Sequence, residues 1–171
     1  MRELAEKYLL YVGNFYPHKN LKRLIFVFRK KIRKLYPDYS LVLVGGKTHS
    51  EEDGIIFTGY IDDNRLNNLY RGADLYVFPS LCEGFGLPAL EAMKRGVAIV
   101  ASNVSCLPEI LGDSVMYFNP FDINDMAEKI KKVISDRSLK DVLIKKGFER
   151  TKKYNWQKTA EETMALYMDI L

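Results

Sequence analysis

Residues 75–101 read LYVFPSLCEGFGLPALEAMKRGVAIVA, which places an apolar run, a glycine-rich loop, a helical pattern and a second apolar run in direct succession. The two apolar runs, 75–78 and 97–101, have the length of buried strands. Pro88 suits the first turn of the helix between them, because its missing amide hydrogen is not needed there. This succession is typical of an α/β fold with a parallel sheet.

The same alternation extends over the rest of the chain. Further strands are predicted at residues 8–12, 41–44, 55–58 and 115–118, and further helices at residues 21–36, 62–71, 123–134, 138–153 and 157–171. Unbroken apolar runs indicate strands that are covered on both faces. The whole chain, residues 1–171, is therefore predicted to be one domain with a parallel sheet flanked by helices.

The predicted helix 21–36 is amphipathic. Its apolar stripe consists of Leu21, Leu24, Ile25, Phe28, Ile32 and Leu35, and its other face carries Lys22, Arg23, Arg29, Lys30, Lys31, Arg33 and Lys34. A solvated face is the simpler interpretation, and peripheral contact with an anionic membrane is the alternative. Trp156 and the last predicted helix are expected to pack in the core.

Composition limits the classes of function. The formal net charge is +4, which suits a phosphate-bearing ligand or an anionic surface and gives no specific sign of nucleic acid. Cys82 and Cys106 form no CxxC pair, so a reducing compartment, the cytoplasm, is expected. Cys82 is predicted to fill space, since it has no histidine neighbour that would activate it. No signal peptide or membrane-spanning stretch is predicted.

The loop before the central helix is the part of the sequence that carries chemistry. Free amides at a helix start, together with the positive end of the helix dipole, form a site for a phosphate group. Gly84 and Gly86 present no side chain to block a ligand. Taken alone, a Gly-x-Gly before a helix is a weak signal, because such turns also need glycine for packing.

Two carboxylates flank this loop. Glu83 lies in it, and Glu91 lies one turn inside the helix on the side that faces back toward it. Carboxylates repel a bare phosphate but accept hydrogen bonds from hydroxyls. A sugar joined to a nucleotide through a diphosphate meets both demands.

The full string, Glu83-Gly-Phe-Gly-Leu-Pro followed by Glu91-Ala-Met and Gly96, resembles the paired-glutamate motif of glycosyltransferase family four, also called group 1. Four flanking segments resemble family segments in the same order: YVGNFYPHKNLKRLI (11–25), FTGYIDDNRLNNLYRGADLYVFPS (57–80), VASNVSCLPEILGD (100–113) and YNWQKTAEETMALY (154–167). The resemblance implies a Rossmann-like domain, the C-terminal half of a two-lobed GT-B fold.

The resemblance also assigns roles. Glu83 would hold hydroxyls of the donor sugar and Glu91 the ribose, and Lys19 would stabilise the diphosphate leaving group. The sugar and the diphosphate would meet the backbone amides of the loop residues Gly84, Phe85, Gly86 and Leu87.

The basic pair of the family is incomplete in this sequence. Asn14 and His18 stand where the family often has arginine, and His18 could donate a hydrogen bond in either protonation state. Tyr60 and Ile61 resemble the corner that binds the base, although an aromatic residue at position 60 would by itself suggest core packing.

The implied reaction is hexose transfer with retention, from a UDP-, GDP- or ADP-sugar to a glycan or a lipid-linked acceptor, with no required metal and no cofactor. Asp62-Asp63 is interpreted as a helix N-cap. The N-terminal lobe that would complete the acceptor site is expected to be absent from this chain. A stand-alone nucleotide-binding or regulatory module is the alternative from another class, and an epimerase of the same fold is a weaker one. An NAD-dependent oxidoreductase is disfavoured, because the glycine fingerprint does not follow the first strand.

Overall fold

The computed structural model describes residues 7–170, apart from the side chains of residues 47–49. The strands are β1 Lys7–Val12, β2 Tyr39–Glu52, β3 Ile55–Gly59, β4 Leu75–Phe78, β5 Ile99–Ser102 and β6 Met116–Phe118. The α-helices are α1 Leu21–Val27, α2 Asp63–Gly72, α3 Leu87–Lys94, α4 Leu107–Leu111, α5 Ile123–Ser135, α6 Arg137–Thr151 and α7 Trp156–Ile170. A 3-10 turn, Pro17–Lys19, precedes α1, and a π turn, Phe28–Ile32, follows it.

The strands form one sheet in the order β3-β2-β1-β4-β5-β6, with parallel neighbours throughout its centre. The end of β2 departs from this pattern. Leu41 to Gly45 pair in parallel with Ile55 to Gly59, but residues 50–52 pair with Phe57 to Ile55 in the reverse order. The chain therefore reverses between Gly45 and Ser50 and runs back along β3 as a short seventh segment. It turns again at Asp53-Gly54 to enter β3.

Helices cover both faces of the sheet. Side chains alternate along β1, so that Leu9 and Tyr11 join one core cluster while Tyr8 and Leu10 join the other. The first cluster packs against α1 and α5, and the second against α2, α3 and α4. This two-faced burial confirms the predicted α/β class.

The predicted helix 21–36 is interrupted by the π turn. The Arg33 amide donates to the Phe28 carbonyl at 2.9 Å, a bond that spans five residues instead of four. The wider turn rotates the residues that follow away from the buried stripe. Leu35 is consequently 61% exposed, against the prediction that it lies on that stripe.

Part of the basic face of this helical segment is neutralised within the molecule. Arg33 pairs with Asp53 at 2.7 Å, and Arg29 pairs with Glu52 at 3.2 Å, so the end of β2 and the turn after it supply the two acids. None of the helices in the described range 7–170 is long and apolar enough to span a bilayer. Membrane contact of the basic face stays a prediction.

The C-terminal end contradicts the sequence prediction. Trp156 is 75% exposed, and none of the described residues of α7 is buried. The apolar content of residues 157–170 suggested a core helix, but both faces of the sheet are already covered by the preceding helices. Cys82 is exposed as well, so it does not fill space in the core.

Candidate functional site

The carboxyl ends of β1 and β4 lie side by side at the point where the strand order reverses. From β1 the chain continues to β2 on one side, whereas from β4 it continues to β5 on the other. Open parallel sheets bind ligands in the crevice at such a switch point. The loops after β1, β4 and β5 surround this crevice.

Lys19 and Glu83 meet at the crevice. The Lys19 Nζ donates to Glu83 Oε1 at 2.7 Å, and the two side chains are only 15% and 10% exposed. The 3-10 turn that carries Lys19 is fastened to the loop after β4, because the Leu81 amide donates to the His18 carbonyl at 2.7 Å. The structure thus brings together two predicted site residues that are 64 positions apart.

Asn20 fixes the position of Lys19, and sequence reasoning missed it. Its side-chain amide donates to the carbonyls of Pro79 at 3.0 Å and Pro120 at 3.1 Å, and its backbone has a positive φ of 58°. One buried asparagine therefore joins the loops after β1, β4 and β6. The sequence signal was an asparagine, a residue that tolerates left-handed backbone, just before a helix.

The backbone of Glu83 is held by the loop after β5. The Ser105 hydroxyl donates to the Glu83 carbonyl at 2.7 Å, and the Cys106 thiol approaches the same oxygen at 3.3 Å. These contacts lie on the α4 side of the glycine loop.

The two glycines of the loop differ in what surrounds them. A Cβ on Gly84 would meet no heavy atom within 4 Å, so the space beside it is open to a ligand. A Cβ on Gly86 would lie 3.0 Å from a Leu107 methyl, and the φ of Gly86 is +96°. Gly86 is therefore required by the turn into α3, whereas Gly84 fits the predicted close approach of a ligand.

Glu91 is exposed on α3 and faces α2. Burial raises the pKa of the Tyr70 phenol of α2, and the negative charge of Glu91 raises it further. The Tyr70 hydroxyl donates to the Pro88 carbonyl at 3.3 Å, which links α2 to the first turn of α3. Glu91 thus lies near Tyr70 of α2, whereas Glu83 contacts Lys19 and the loop after β5.

A smaller pocket of about 200 Å³ lies at the ends of β1, β2 and β3. Tyr60 and Ile61 line it together with Val12, Gly13, Val44, Gly45, Gly59, Asp63 and Leu66. Tyr60 is 93% exposed, so the suggestion that it packs in the core is wrong. Asp62 caps α2 by accepting from the Arg65 amide at 2.9 Å, as interpreted from the sequence.

Asn14 and His18 are exposed in the loop after β1. The Asn14 side chain accepts from the Tyr16 amide at 3.4 Å, and the His18 ring lies 5.9 Å from that of Tyr16. Both side chains therefore lie in the exposed segment between β1 and Lys19. Their role toward a phosphate stays a prediction.

A larger cavity of about 640 Å³ separates α3 from the start of α7. Phe85, Leu87 and Glu91 line one wall, and Trp156 and Lys158 line the other. One wall of this cavity belongs to α7, which buries none of its described residues. We centre the candidate site on the strand ends, where Lys19 meets Glu83, and the predicted site residues Phe85, Leu87 and Glu91 also line this larger cavity.

A family model described as glycosyl transferases group 1 matches residues 2–150. The chain belongs to the group 1 glycosyltransferases. This domain is 32% identical over 172 aligned positions to O-antigen chain mannosyltransferase B of Escherichia coli, covering 94% of this chain and 45% of that protein.

Two solved structures resemble the group 1 domain. Sucrose-phosphate synthase of Thermosynechococcus elongatus is 29% identical with a TM-score of 0.83, over 98% of this chain and 46% of that one. The C-terminal domain of a glycosyl transferase group 1 family protein of Francisella tularensis is 28% identical with a TM-score of 0.73, over 86% and 84%. The domain thus has the fold of a GT-B C-terminal lobe and spans about half the length of its longer relatives, which confirms the predicted family and fold.

Proposed function

We propose that this chain is the donor-binding domain of a retaining glycosyltransferase that transfers a hexose from a nucleoside-diphosphate sugar to a glycan or a lipid-linked acceptor. The Lys19–Glu83 contact carries the proposal, because it sets a cation and a carboxylate side by side at the switch point. The cation suits a diphosphate, and the carboxylate suits sugar hydroxyls. A nucleotide sugar offers both groups in one molecule.

Different residues of the site would bind different parts of the donor. Lys19 and the amides of residues 84–87 would stabilise the negative charge that develops on the departing diphosphate, and the N-terminus of α3 adds its dipole. Glu83 would hold the sugar, Glu91 the ribose, and the corner at Tyr60 and Ile61 the base. The different neighbours of the two carboxylates, Lys19 for Glu83 and Tyr70 of α2 for Glu91, support this order along the ligand.

We infer that a facing lobe supplies the acceptor site. The chain covers 45% of the E. coli mannosyltransferase and 46% of the sucrose-phosphate synthase. Those two names describe different reactions, so the hexose and the base are best found by titrating several donors.

Isothermal titration of UDP, GDP and ADP, and of their hexose conjugates, tests the proposal. Glu91→Gln should weaken the nucleotide and its conjugate alike, because the ribose is common to both. Glu83→Gln should remove the extra affinity that the hexose provides, since a neutral amide is a weaker acceptor for hydroxyls. Glu128→Gln, an exposed position on α5 across the sheet, is the matched control and should bind like the wild type.

Two results would contradict the proposal. One is that the wild type binds none of these ligands. The other is that both site variants bind them as tightly as the control.

A further inference from the structure

We propose that Tyr11 and Tyr76 are positioning residues of the donor site, whose phenols hold the carbonyls of Val12 and Asn14, on either side of Gly13, turned away from the diphosphate. This inference rests on the proposed function and adds residues that neither the motif nor the resemblance pointed to.

The two hydrogen bonds come from opposite faces of the sheet. Tyr11 of β1 donates to the Asn14 carbonyl at 2.7 Å, and Tyr76 of β4 donates to the Val12 carbonyl at 3.3 Å. Tyr11 belongs to the core cluster under α1 and α5, and Tyr76 to the cluster under α2, α3 and α4. Both side chains are fully buried, so their rings are fixed by packing.

The absence of a side chain at Gly13 permits the hydrogen bond of Tyr11. Its amide donates to the Val44 carbonyl at 3.0 Å, and a Cβ at this position would lie 2.7 Å from the Tyr11 hydroxyl. Three consecutive residues, 12 to 14, therefore each have a backbone group held by a partner on a strand. Strand-held backbone keeps its orientation when a ligand arrives, which avoids reorganisation on binding.

Charge explains why the carbonyls must point inward. A carbonyl oxygen carries partial negative charge and would repel a diphosphate at short range. Burial is the main cause that raises the pKa of each phenol. The charge of Glu83 raises the pKa of Tyr11 further, and interactions with Tyr70 and Tyr11 raise that of Tyr76. Both phenols consequently keep their protons at neutral pH and act as donors.

Tyr11→Phe and Tyr76→Phe test the inference, because each removes only a hydroxyl and keeps the ring. Tyr8→Phe is the matched control: Tyr8 lies on β1, is buried, and donates at 2.8 Å to the Leu69 carbonyl in α2, away from the loop. UDP, GDP and ADP are titrated by calorimetry, and uridine, guanosine and adenosine by NMR. Each site variant should bind the preferred diphosphate about tenfold more weakly, the equivalent of one hydrogen bond, with nucleoside affinity unchanged.

A second measurement does not depend on a ligand. Amide hydrogen exchange at Gly13 should quicken in both site variants and stay at the wild-type rate in Tyr8→Phe, while circular dichroism and thermal unfolding compare the folding of all three.

The outcomes separate the two proposals. If the wild type binds a diphosphate and the Tyr11 and Tyr76 variants bind it equally well, the positioning role is wrong and the donor site stands. Equal losses of diphosphate and nucleoside affinity also refute the positioning role, since they indicate general loosening. If the wild type binds no diphosphate, the donor site is wrong and this inference fails with it.

Discussion

Glycine serves two purposes around the crevice, and the neighbouring atoms distinguish them. A Cβ on Gly45 would lie 2.1 Å from the Gly13 carbonyl oxygen, and the φ of Gly45 is +113°. Gly84 has open space beside it and no positive φ. Gly45 is therefore needed by the protein itself, while Gly84 is dispensable for folding and leaves room for the ligand.

Alanine at these two positions should have opposite effects. Gly45→Ala should lower the free energy of unfolding by about 3 kcal/mol or more, because a backbone clash and a strained φ combine. Gly84→Ala should change stability by less than about 0.5 kcal/mol yet weaken nucleotide-sugar binding, since the methyl group enters the ligand's space. Urea denaturation and calorimetric titration of both variants measure the two effects. A Gly84→Ala protein that binds normally would remove the case for close approach at this loop.

The effects of substituting Lys19 and Glu83 on the free energy of unfolding should depend on each other. Lys19→Met leaves a carboxylate with little exposure and no cation, and should cost about 2 kcal/mol of unfolding free energy. The double variant Lys19→Met, Glu83→Gln should recover a large part of that loss, because no uncompensated charge remains. Chemical denaturation of the two single variants and the double variant gives the coupling energy. Simple additivity of the single losses would mean that the two charges do not interact.

At the scale of elements, the sequence predicts helices and strands that depend on adjacent residues. It does not predict the features that depend on contacts between distant parts of the chain. The strand at Leu75–Phe78 and the start of the helix after it follow from residues that adjoin in sequence. The π turn, the short α4 and the turned-back end of β2 depend on tertiary packing. The local sequence pattern therefore did not predict these three features. The same holds for the site. Glu83 and Gly84 stood out in the motif, whereas Asn20, Tyr11 and Tyr76 act through loops that only the folded sheet brings together.

Helix caps give a prediction at the same scale. Asp122 accepts from the Asn124 amide at 2.8 Å and the Asp125 amide at 3.2 Å at the start of α5. Asp122→Ala should lower the free energy of unfolding by about 1 kcal/mol, because those amides lose their acceptor. Asp141→Ala, at an exposed position inside α6, serves as the control and should be nearly neutral in thermal unfolding. Equal midpoints for the two variants would show that the cap contributes nothing.

For the molecule as a whole, stability should come from the two clusters on the sheet and hardly from α7. Helix α7 contributes no buried residue, and its exposed apolar side chains include Met164, Leu166, Tyr167, Met168 and Ile170. The prediction of one domain over residues 1–171 stays a prediction, and we infer that α7 adds little to its stability.

Removing residues 156–171 should therefore leave a folded domain. The expected shift of the thermal midpoint is about 3 °C or less, because no core contact is lost. The shortened chain should also bind less of an apolar dye. Calorimetry and dye fluorescence test this, and cooperative unfolding at a much lower temperature would show that α7 supports the core.

Buried phenols predict how the whole fold responds to alkali. Burial raises the pKa of Tyr8 and of Tyr117 to about 12, from an ordinary value of 10.0. The folded state then holds these protons more tightly than the unfolded chain, so their contribution is complete below pH 10 and is lost as the pH rises toward 12. Tyr8→Phe should flatten this decline when unfolding is measured by denaturant across that range. An unchanged slope would mean that Tyr8 ionises as easily in the folded protein as in the unfolded chain.

The returning end of β2 has one more effect, on how copies of the chain behave toward each other. A bare outer strand is a template on which a second molecule can hydrogen-bond, and rows of such contacts lead to fibrils. Here residues 50–52 occupy the free side of β3 and present Glu51 and Glu52 to the solvent. The strand at the opposite edge of the sheet, β6, is only three residues long. Both edges of the sheet are thus poor templates for pairing with the sheet of a second copy of the chain.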